Sequence, residues 1–475
     1  MSQTSITSLL ATAGVALGVA GTAAAEVSQS PDEVRAIVAE MMADANTRSS
    51  LLQSNASAGH DGGNFFLADP EGNYRLNVSG FFQFRYFANF SDEGNPTDND
   101  DFTGGFENTR TRLKFDGHIV NKDLFYEIEG DFGSGAGGDF NLLDAYVGYR
   151  FGDGFELKWG QFKAPFLREE LVSPQYQLTV EKSLTNEVFT GNRTQGIELS
   201  YHQEDWRAFF AFTDGFNAAN TRFTNDQQNF TFTSRNGDTI FTPTGGGGEA
   251  DWAITARAEL KLAGAWDQFT DFTSMPDSDY GAMVGVAAHF EQNQTLQGAD
   301  TNPADGIPDG TADVNIGAYT VDLSLEGNGW NFFAALIAST TDFDQLANTD
   351  GNALNGNDNA SFTDYGIVAQ AGMFIPNTDW EVFARYDGII PDDERLQDDT
   401  FNTVTVGTNW YWAGHAAKFT LDAVILLDEA IDDGADPNNN SGNPLAQSGL
   451  SNKLGIVGTQ DDTEVAFRAQ FQLLF

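Results

Sequence analysis

The chain has 475 residues, with 24 basic against 69 acidic side chains and a formal net charge of −45. This acidity excludes general nucleic-acid binding, because phosphate backbones are bound by clustered positive charge. The sequence has no cysteine, which excludes disulfides, thiolate metal sites and cysteine nucleophiles together.

Residues 1–25 are predicted to be a secretory signal peptide. An apolar stretch runs from Leu9 to Ala20, and the small residues Ala23, Ala24 and Ala25 follow it before Glu26. We expect cleavage after Ala25, since small residues after an apolar core are typical of a signal cleavage site. The segment departs from the usual pattern in having no Lys or Arg before the apolar stretch, and an ordinary flexible N-terminus is the alternative.

Residues 26–73 are predicted to be a periplasmic helix followed by a linker. Ser30 as N-cap and Pro31 at the first helical position are typical of a helix start. Apolar residues follow at helical spacing, namely Val34, Ile37, Val38, Met41 and Met42. The helix is short, so it could join protomers as a small coiled coil, or it could rest on the remainder of the protein or fray. Residues 46–73 are polar and contain glycine, which predicts a linker.

From Tyr74 onward, apolar and polar residues alternate with the two-residue period of a β-strand. Between Tyr74 and Phe90 the even positions are mostly aromatic or aliphatic, while the odd positions carry Arg75, Arg85 and several amides. Such a strand has one face for hydrocarbon and one for water. The alternation returns from Val465 to Phe475, and this ending resembles the C-terminal assembly signal of outer-membrane β-barrels.

Sixteen segments have this period and the length that a tilted membrane strand needs. They begin near Tyr74, Asn108, Leu124, Leu143, Phe155, Gln195, Trp206, Trp252, Tyr280, Asn315, Trp330, Asp364, Trp380, Thr403, Ala417 and Val465. Short and long connections alternate between them, with one exception at residues 263–278, which are long where a short turn is expected. The sequence therefore predicts an all-β protein: a 16-stranded antiparallel transmembrane β-barrel over residues 74–475, in the bacterial outer membrane, with a short N-terminal helix.

One stretch of the chain resembles a known family. Residues 159–171 read WGQFKAPFLREEL and are followed by EKSL at 181–184. This run is similar to the signature of the phosphate-selective porin O and P family, and residues 110–117, 144–150 and 193–201 also resemble strands of that family. The resemblance implies a trimeric 16-stranded porin whose third external loop folds inward, and which conducts small ions and solutes such as phosphate.

The third external loop is predicted to lie between residues 163 and 194. It is more apolar than the other long connections, so we expect it to fold inward and pack on the barrel wall. The basic residues predicted to line the pore or its constriction are Arg75, Arg85, Arg110, Arg112, Lys114, Lys163 and Arg168. Rings of positive charge suit anion pores, and the family resemblance implies a role in phosphate selectivity.

Three alternatives to an anion pore stay open. The arginines could pair with inward acids as a structural lattice, and the acids of the same strands are Asp116, Glu127, Glu129 and Asp131. The channel could then be non-selective or prefer cations. The protein could also be a structural or adhesive outer-membrane protein with a plugged lumen.

The sequence provides little support for a cofactor or for catalysis. Asp300, Asn302, Asp305 and Asp309 resemble an oxygen-ligand calcium loop, but the spacing departs from an EF-hand, and an ordinary solvated acidic loop is the alternative. We expect no other cofactor. The five histidines are scattered along the chain, so we expect no enzyme activity.

Overall fold

The alternating segments form strands in the computed structural model of the chain. The structure describes residues 56–61, 63–90, 102–133, 137–221, 230–235, 238–243, 250–297, 311–344, 360–392, 400–428, 454–456 and 464–475. The predicted signal peptide and N-terminal helix lie outside the described residues. Ser57–Phe475 forms one compact unit.

Twenty strands are present in the described part of the chain. In chain order they are β1 Ser57–His60, β2 Phe65–Ala68, β3 Arg75–Phe90, β4 Phe102–His118, β5 Leu124–Asp131, β6 Asn141–Gly152, β7 Phe155–Lys163, β8 Arg193–His202, β9 Trp206–Thr213, β10 Phe230–Arg235, β11 Asp238–Pro243, β12 Trp252–Ala263, β13 Gly281–Gln297, β14 Thr311–Gly327, β15 Trp330–Asp344, β16 Ala360–Phe374, β17 Trp380–Ile390, β18 Phe401–His415, β19 Ala417–Leu426 and β20 Glu464–Leu474.

Sixteen of these strands close into a barrel. From β3 to β9 and from β12 to β20, each strand pairs antiparallel with the next, β9 pairs with β12, and β20 pairs with β3. Every predicted strand start lies within six residues of an observed one. The predicted 16-stranded antiparallel barrel is confirmed.

The two faces of the wall follow the predicted phase. Phe84 and Phe467 are exposed on the outside, whereas Arg85 and Arg468 are buried inside. At the end with short connections, outward tryptophans form a belt: Trp380 stacks on Trp410 at 5.6 Å, and Trp410 on Trp412 at 5.9 Å. Indole rings at this level are typical of the membrane interface.

Strand β4 is longer than predicted, because a β-bulge reverses its alternation. Gln83 of β3 pairs with Arg110, but the next residue, Phe84, pairs with Asn108, so Thr109 is the extra residue. Below the bulge the even positions of β4 face inward, and above it Phe106 faces outward. A strict two-residue period therefore stops at the bulge, although the strand continues to Phe102.

Two hairpins were not predicted. Strands β1 and β2 pair with each other within the predicted linker, and β2 pairs with the first four residues of β3. Strands β10 and β11 pair within the connection between β9 and β12.

Two long connections that the structure describes in full enter the barrel. The first, L3, comprises residues 164–192 between β7 and β8 and contains helix α1 (Arg168–Leu171), a 3₁₀ helix at Pro174–Tyr176 and helix α2 (Leu184–Phe189). The second, T4, comprises residues 264–280 between β12 and β13 and contains a 3₁₀ helix at Trp266–Thr270. Among the described residues, no helix has the length and apolarity needed to cross a membrane.

Candidate functional site: the lumen and its inward loop

L3 is held against the wall by its apolar side chains. Phe166, Leu167 and Leu184 are at most 3% exposed and pack in one cluster with inward residues of β13 to β20. Val172 and Leu178 form a second cluster with wall residues from β15 to β17. Full burial of each such side chain contributes about 1.5–3 kcal/mol, so the predicted inward fold of this loop is confirmed and its cause is hydrophobic.

The wall also binds the backbone of L3. Arg385 of β17 donates to the carbonyls of Glu181 (2.9 Å) and Lys182 (3.3 Å). Asp422 of β19 accepts from the amide of Val180 at 3.0 Å. Residues 180–182 lie between the helices of L3, so inward side chains must supply the hydrogen-bond partners of their backbone groups.

Similar bonds extend along β12, β18 and β19. Arg257 donates to the carbonyl of Phe166 (2.9 Å), Asn409 to that of Leu178 (2.8 Å), and Lys418 to that of Gln177 (2.9 Å). The inward polar residues of this side of the barrel therefore hold L3.

Glu181 of L3 lies between two of the predicted pore arginines. Its carboxylate is 2.7 Å from Nη1 of Arg85 and 2.6 Å from Nη2 of Arg110. Arg85 also donates to the carbonyl of Val180 at 2.8 Å. Both arginines thus bind L3, and one carboxylate serves two cations.

Arg112 and Lys114 belong to an ion-pair network of β4, β5 and β6. Arg112 pairs with Glu129 (3.1 Å) and Asp131 (2.8 Å), and Lys114 pairs with Glu127 at 2.6 Å. Oxygens of Glu127, Glu129 and Asp144 lie within 4.8 Å of one another. The positive charge near these carboxylates comes from Arg112 and Lys114, and from Arg193, which pairs with Asp144 at 2.7 Å.

Lys163, the last residue of β7, and Arg168, near the start of L3, differ in what they contact. Lys163 donates to the carbonyl of Glu170 (2.6 Å), and Lys182 pairs with the Glu170 carboxylate. Burial would raise the pKa of Glu170, but the two ammonium groups outweigh burial and hold the pKa well below its usual range. Arg168, only 4% exposed, donates to Ser324 (2.7 Å) and to the carbonyl of Phe269 (2.9 Å).

The predicted pore residues therefore separate into groups. Arg85 and Arg110 meet at Glu181, whereas Arg112 and Lys114 pair with carboxylates of β5. Lys163 binds Glu170, and Arg168 faces T4. Arg75 pairs with Asp61, at the periplasmic rim. The assignment of these residues to a constriction stays a prediction.

The contacts of the basic wall residues agree with the alternative in which arginines and inward acids form a structural lattice. Besides Lys163 and Arg193, thirteen basic residues of the described strands face inward, and twelve of these have a carboxylate within 4.0 Å. The remaining one, Lys418, binds the Gln177 carbonyl. The thirteen are Arg75, Arg85, Arg110, Arg112, Lys114, Arg150, Lys158, Arg207, Arg257, Lys261, Arg385, Lys418 and Arg468.

Four partners of the pore residues were not identified from the sequence, namely Glu170, Glu181, Lys182 and Arg193. All four are buried. The sequence feature that could have identified them is the presence of charged residues inside an unusually apolar loop and at its border. The calcium candidates Asp300, Asn302, Asp305 and Asp309 lie outside the described residues.

The fold and lumen are those of an outer-membrane porin, a β-barrel with a loop folded into its channel, in the bacterial outer membrane. Residues 81–299 match the family model described as "Phosphate-selective porin O and P". The resemblance found in the sequence is confirmed over these residues.

Solved porin structures have the same fold. The anion-selective porin from Comamonas acidovorans aligns with 13% identity and a TM-score of 0.50, covering 84% of this chain and 99% of that one. The outer membrane channel DcaP of Acinetobacter baumannii aligns with 14% identity and a TM-score of 0.50, covering 86% and 99%. No curated protein sequence matches the chain.

Proposed function

We propose that this porin is a weakly selective channel through which small hydrophilic solutes and ions diffuse passively. The observation that carries the proposal is the pairing of nearly every inward basic residue with a carboxylate. Opposite charges about 3 Å apart largely cancel at the distance of a passing ion, so a paired wall discriminates little between anions and cations.

A mild anion preference is the second candidate, and sharing of carboxylates favours it. Arg85 and Arg110 share Glu181, and Lys163 and Lys182 share Glu170. Counted by ion-pair contacts within 4.0 Å and including Arg112 and Arg193, six cations share the five carboxylates of Glu129, Asp131, Asp144, Glu170 and Glu181. This excess of one positive charge supports an anion preference, and phosphate would be one such anion.

Reversal potential in a salt gradient across a planar bilayer tests both candidates. A potential near zero supports weak selectivity, and a small potential of the anionic sign supports the second candidate. A strongly cation-selective channel would contradict both. No conductance at all would indicate a structural outer-membrane protein with a closed lumen.

We infer that the protein has no catalytic role. His289 has both a hydroxyl and a carboxylate at its ring nitrogens, with Thr255 at 2.8 Å and Glu291 at 3.1 Å. It is only 2% exposed, and the ring of Phe216 stacks on it at 3.4 Å. A substrate could not reach this histidine, so the arrangement supports a structural role in fixing the loop after β9.

We propose two further properties that rest on the sequence. The match to the porin family model supports a homotrimer in the outer membrane, with lipid around its outer face. The acidic loop at 300–309 is a candidate for calcium, and calorimetric titration of the folded protein with calcium tests it. Heat of binding that disappears when Asp300 and Asp305 become asparagine would support this site.

A further inference from the structure

T4 departs from the other described connections at the periplasmic end. Those connections have at most five residues, at 119–123, 153–154, 203–205, 328–329, 375–379 and 416, whereas T4 has seventeen. Four of its side chains are at most 5% exposed, namely Phe269, Phe272, Thr273 and Ser274. A surface turn would leave such residues in water, so T4 has a packed position inside the barrel.

T4 packs directly on the first half of L3. Arg168 donates to the carbonyl of Phe269 at 2.9 Å, and its guanidinium lies 5.2 Å from the ring centre of Phe272. The amide of Phe272 donates to the carbonyl of Tyr176 at 3.2 Å. The Phe272 ring also joins the apolar cluster that contains Val172. The two connections thus share a polar contact and an apolar core.

T4 also contacts the wall at widely separated strands. Near β9 and β12, the indole of Trp266 lies against Arg207, with 4.4 Å from the guanidinium carbon to the ring centre. At β18, Thr273 and Tyr411 are hydrogen-bonded at 2.9 Å, and Asp271 lies 3.3 Å from His415. T4 therefore lies beneath L3 from β9 to β18.

Exposure of inward cations differs between the two sides of the barrel. On β4 and β9, the side chains of Lys114 and Arg207 are 36% and 24% exposed. On β12, β17 and β20, those of Arg257, Arg385 and Arg468 are at most 1% exposed. Near the periplasmic end, water thus reaches the wall from β4 to β9, whereas Glu381 of β17 and Lys418 of β19 are at most 2% exposed. At the height of L3 both sides are covered, since Arg112 of β4 and Arg193 of β8 are also buried.

We propose that T4 is a positioning element that supports L3 from the periplasmic side and confines solute passage, at that end of the barrel, to the part of the lumen along β4 to β9. Arg168 and Phe272 are the positioning residues, since they join T4 to L3. The proposal rests on the proposed function as a channel and specifies which part of the barrel conducts.

Single-cysteine variants test the route, and the cysteine-free chain gives a clean background. We choose Lys114→Cys on the exposed side and Thr405→Cys on the covered side, where the Thr405 hydroxyl is buried without a hydrogen-bond partner. Thr405 pairs across the strands with Arg385, which binds L3. A cationic methanethiosulfonate reagent is added during single-channel recording. We expect stepwise block of the Lys114→Cys channel and a reaction at Thr405→Cys at least about tenfold slower, because thiol modification requires access.

The role of T4 is tested in the Thr405→Cys background by Phe272→Ala, and by replacing residues 266–274 with a short Gly-Ser link. We expect faster modification of Thr405→Cys and a larger conductance, since L3 loses its support. Phe84→Ala, on the outer face, is the matched control and should change neither. Heat-modifiable gel mobility identifies folded protein, and Phe272→Ala alone carries the test if the shortened variant does not fold.

Equal modification of Lys114→Cys and Thr405→Cys in otherwise unchanged protein would overturn the proposed route. Folded T4 variants with unchanged conductance and a protected Thr405→Cys would overturn the positioning role. A wild-type protein that conducts nothing would instead overturn the proposed function, so the two failures are distinguishable.

Discussion

Replacing Glu181 by glutamine should destabilise the barrel and move its selectivity toward anions. The change keeps the shape of the side chain and removes its charge. Arg85, with no exposed side-chain area, and Arg110, with 10%, then share a neutral amide instead of a carboxylate.

The expected loss of stability follows from the burial of this group. Removing one partner of a buried ion pair lowers the free energy of unfolding by about 3–5 kcal/mol, because the remaining charge stays buried without compensation. The glutamine oxygen still accepts from one arginine, so we expect the lower end of that range. Glu156→Gln is the matched control: its partner Arg150 is 51% exposed, and such pairs contribute about 0–1 kcal/mol.

The expected change in selectivity is smaller. One unit charge about 8 Å from an ion in water changes its energy by about 0.5 kcal/mol, or roughly twofold in local concentration. Glu181→Gln should therefore move the reversal potential toward anions by a modest, salt-dependent amount.

Urea unfolding of the refolded barrel in detergent measures the stability change, and bilayer reversal potentials measure the selectivity. A Glu181→Gln barrel that is no less stable than the Glu156→Gln barrel would refute the expectation. In that case the two arginines do not depend on this carboxylate for their charge balance.

Three other outcomes are expected. Changing both Arg110 and Arg112 to alanine should move the reversal potential toward cations; an unmoved potential would assign these arginines to the wall lattice alone. The depressed pKa of Glu170 means that its ion pair with Lys182 stabilises L3 fully above the unfolded carboxyl value of about 4.3 and is lost only as pH falls well below it. Conductance that changes between pH 6 and 5 in wild type and not in Glu170→Gln would contradict this. Crosslinking in mild detergent should give trimers, and trimers that survive deletion of residues 30–45 would show that the predicted helix is dispensable for assembly.

The barrel was predictable because each strand is placed between hydrocarbon and water. Phe84 and Arg85 are adjacent in sequence and must point in opposite directions. The alternation of apolar and polar residues along each strand therefore predicts the barrel directly. Two features do not follow from alternation. The bulge at Thr109 reverses the phase within β4, and β1 is a four-residue strand without alternation.

The contacts of the site were less predictable than its location. The apolar composition of L3 predicted that it folds inward. The partner of Arg110, however, is Glu181, 71 residues away, and Arg168 binds the carbonyl of Phe269, 101 residues away. Such pairs depend on how two connections dock inside a closed wall, and no local period encodes that docking.

The contacts of L3 also have a consequence for folding. The loop is bound by Arg85 from the first barrel strand and by Asp422 and Gln472 from the last two. These partners are separated by almost the whole barrel sequence, so they become neighbours only when β20 pairs with β3. Contacts of such long range form late, because the chain must first lose the entropy of closing the intervening segment. Ordering of L3 should therefore coincide with seam closure and be among the last events in folding.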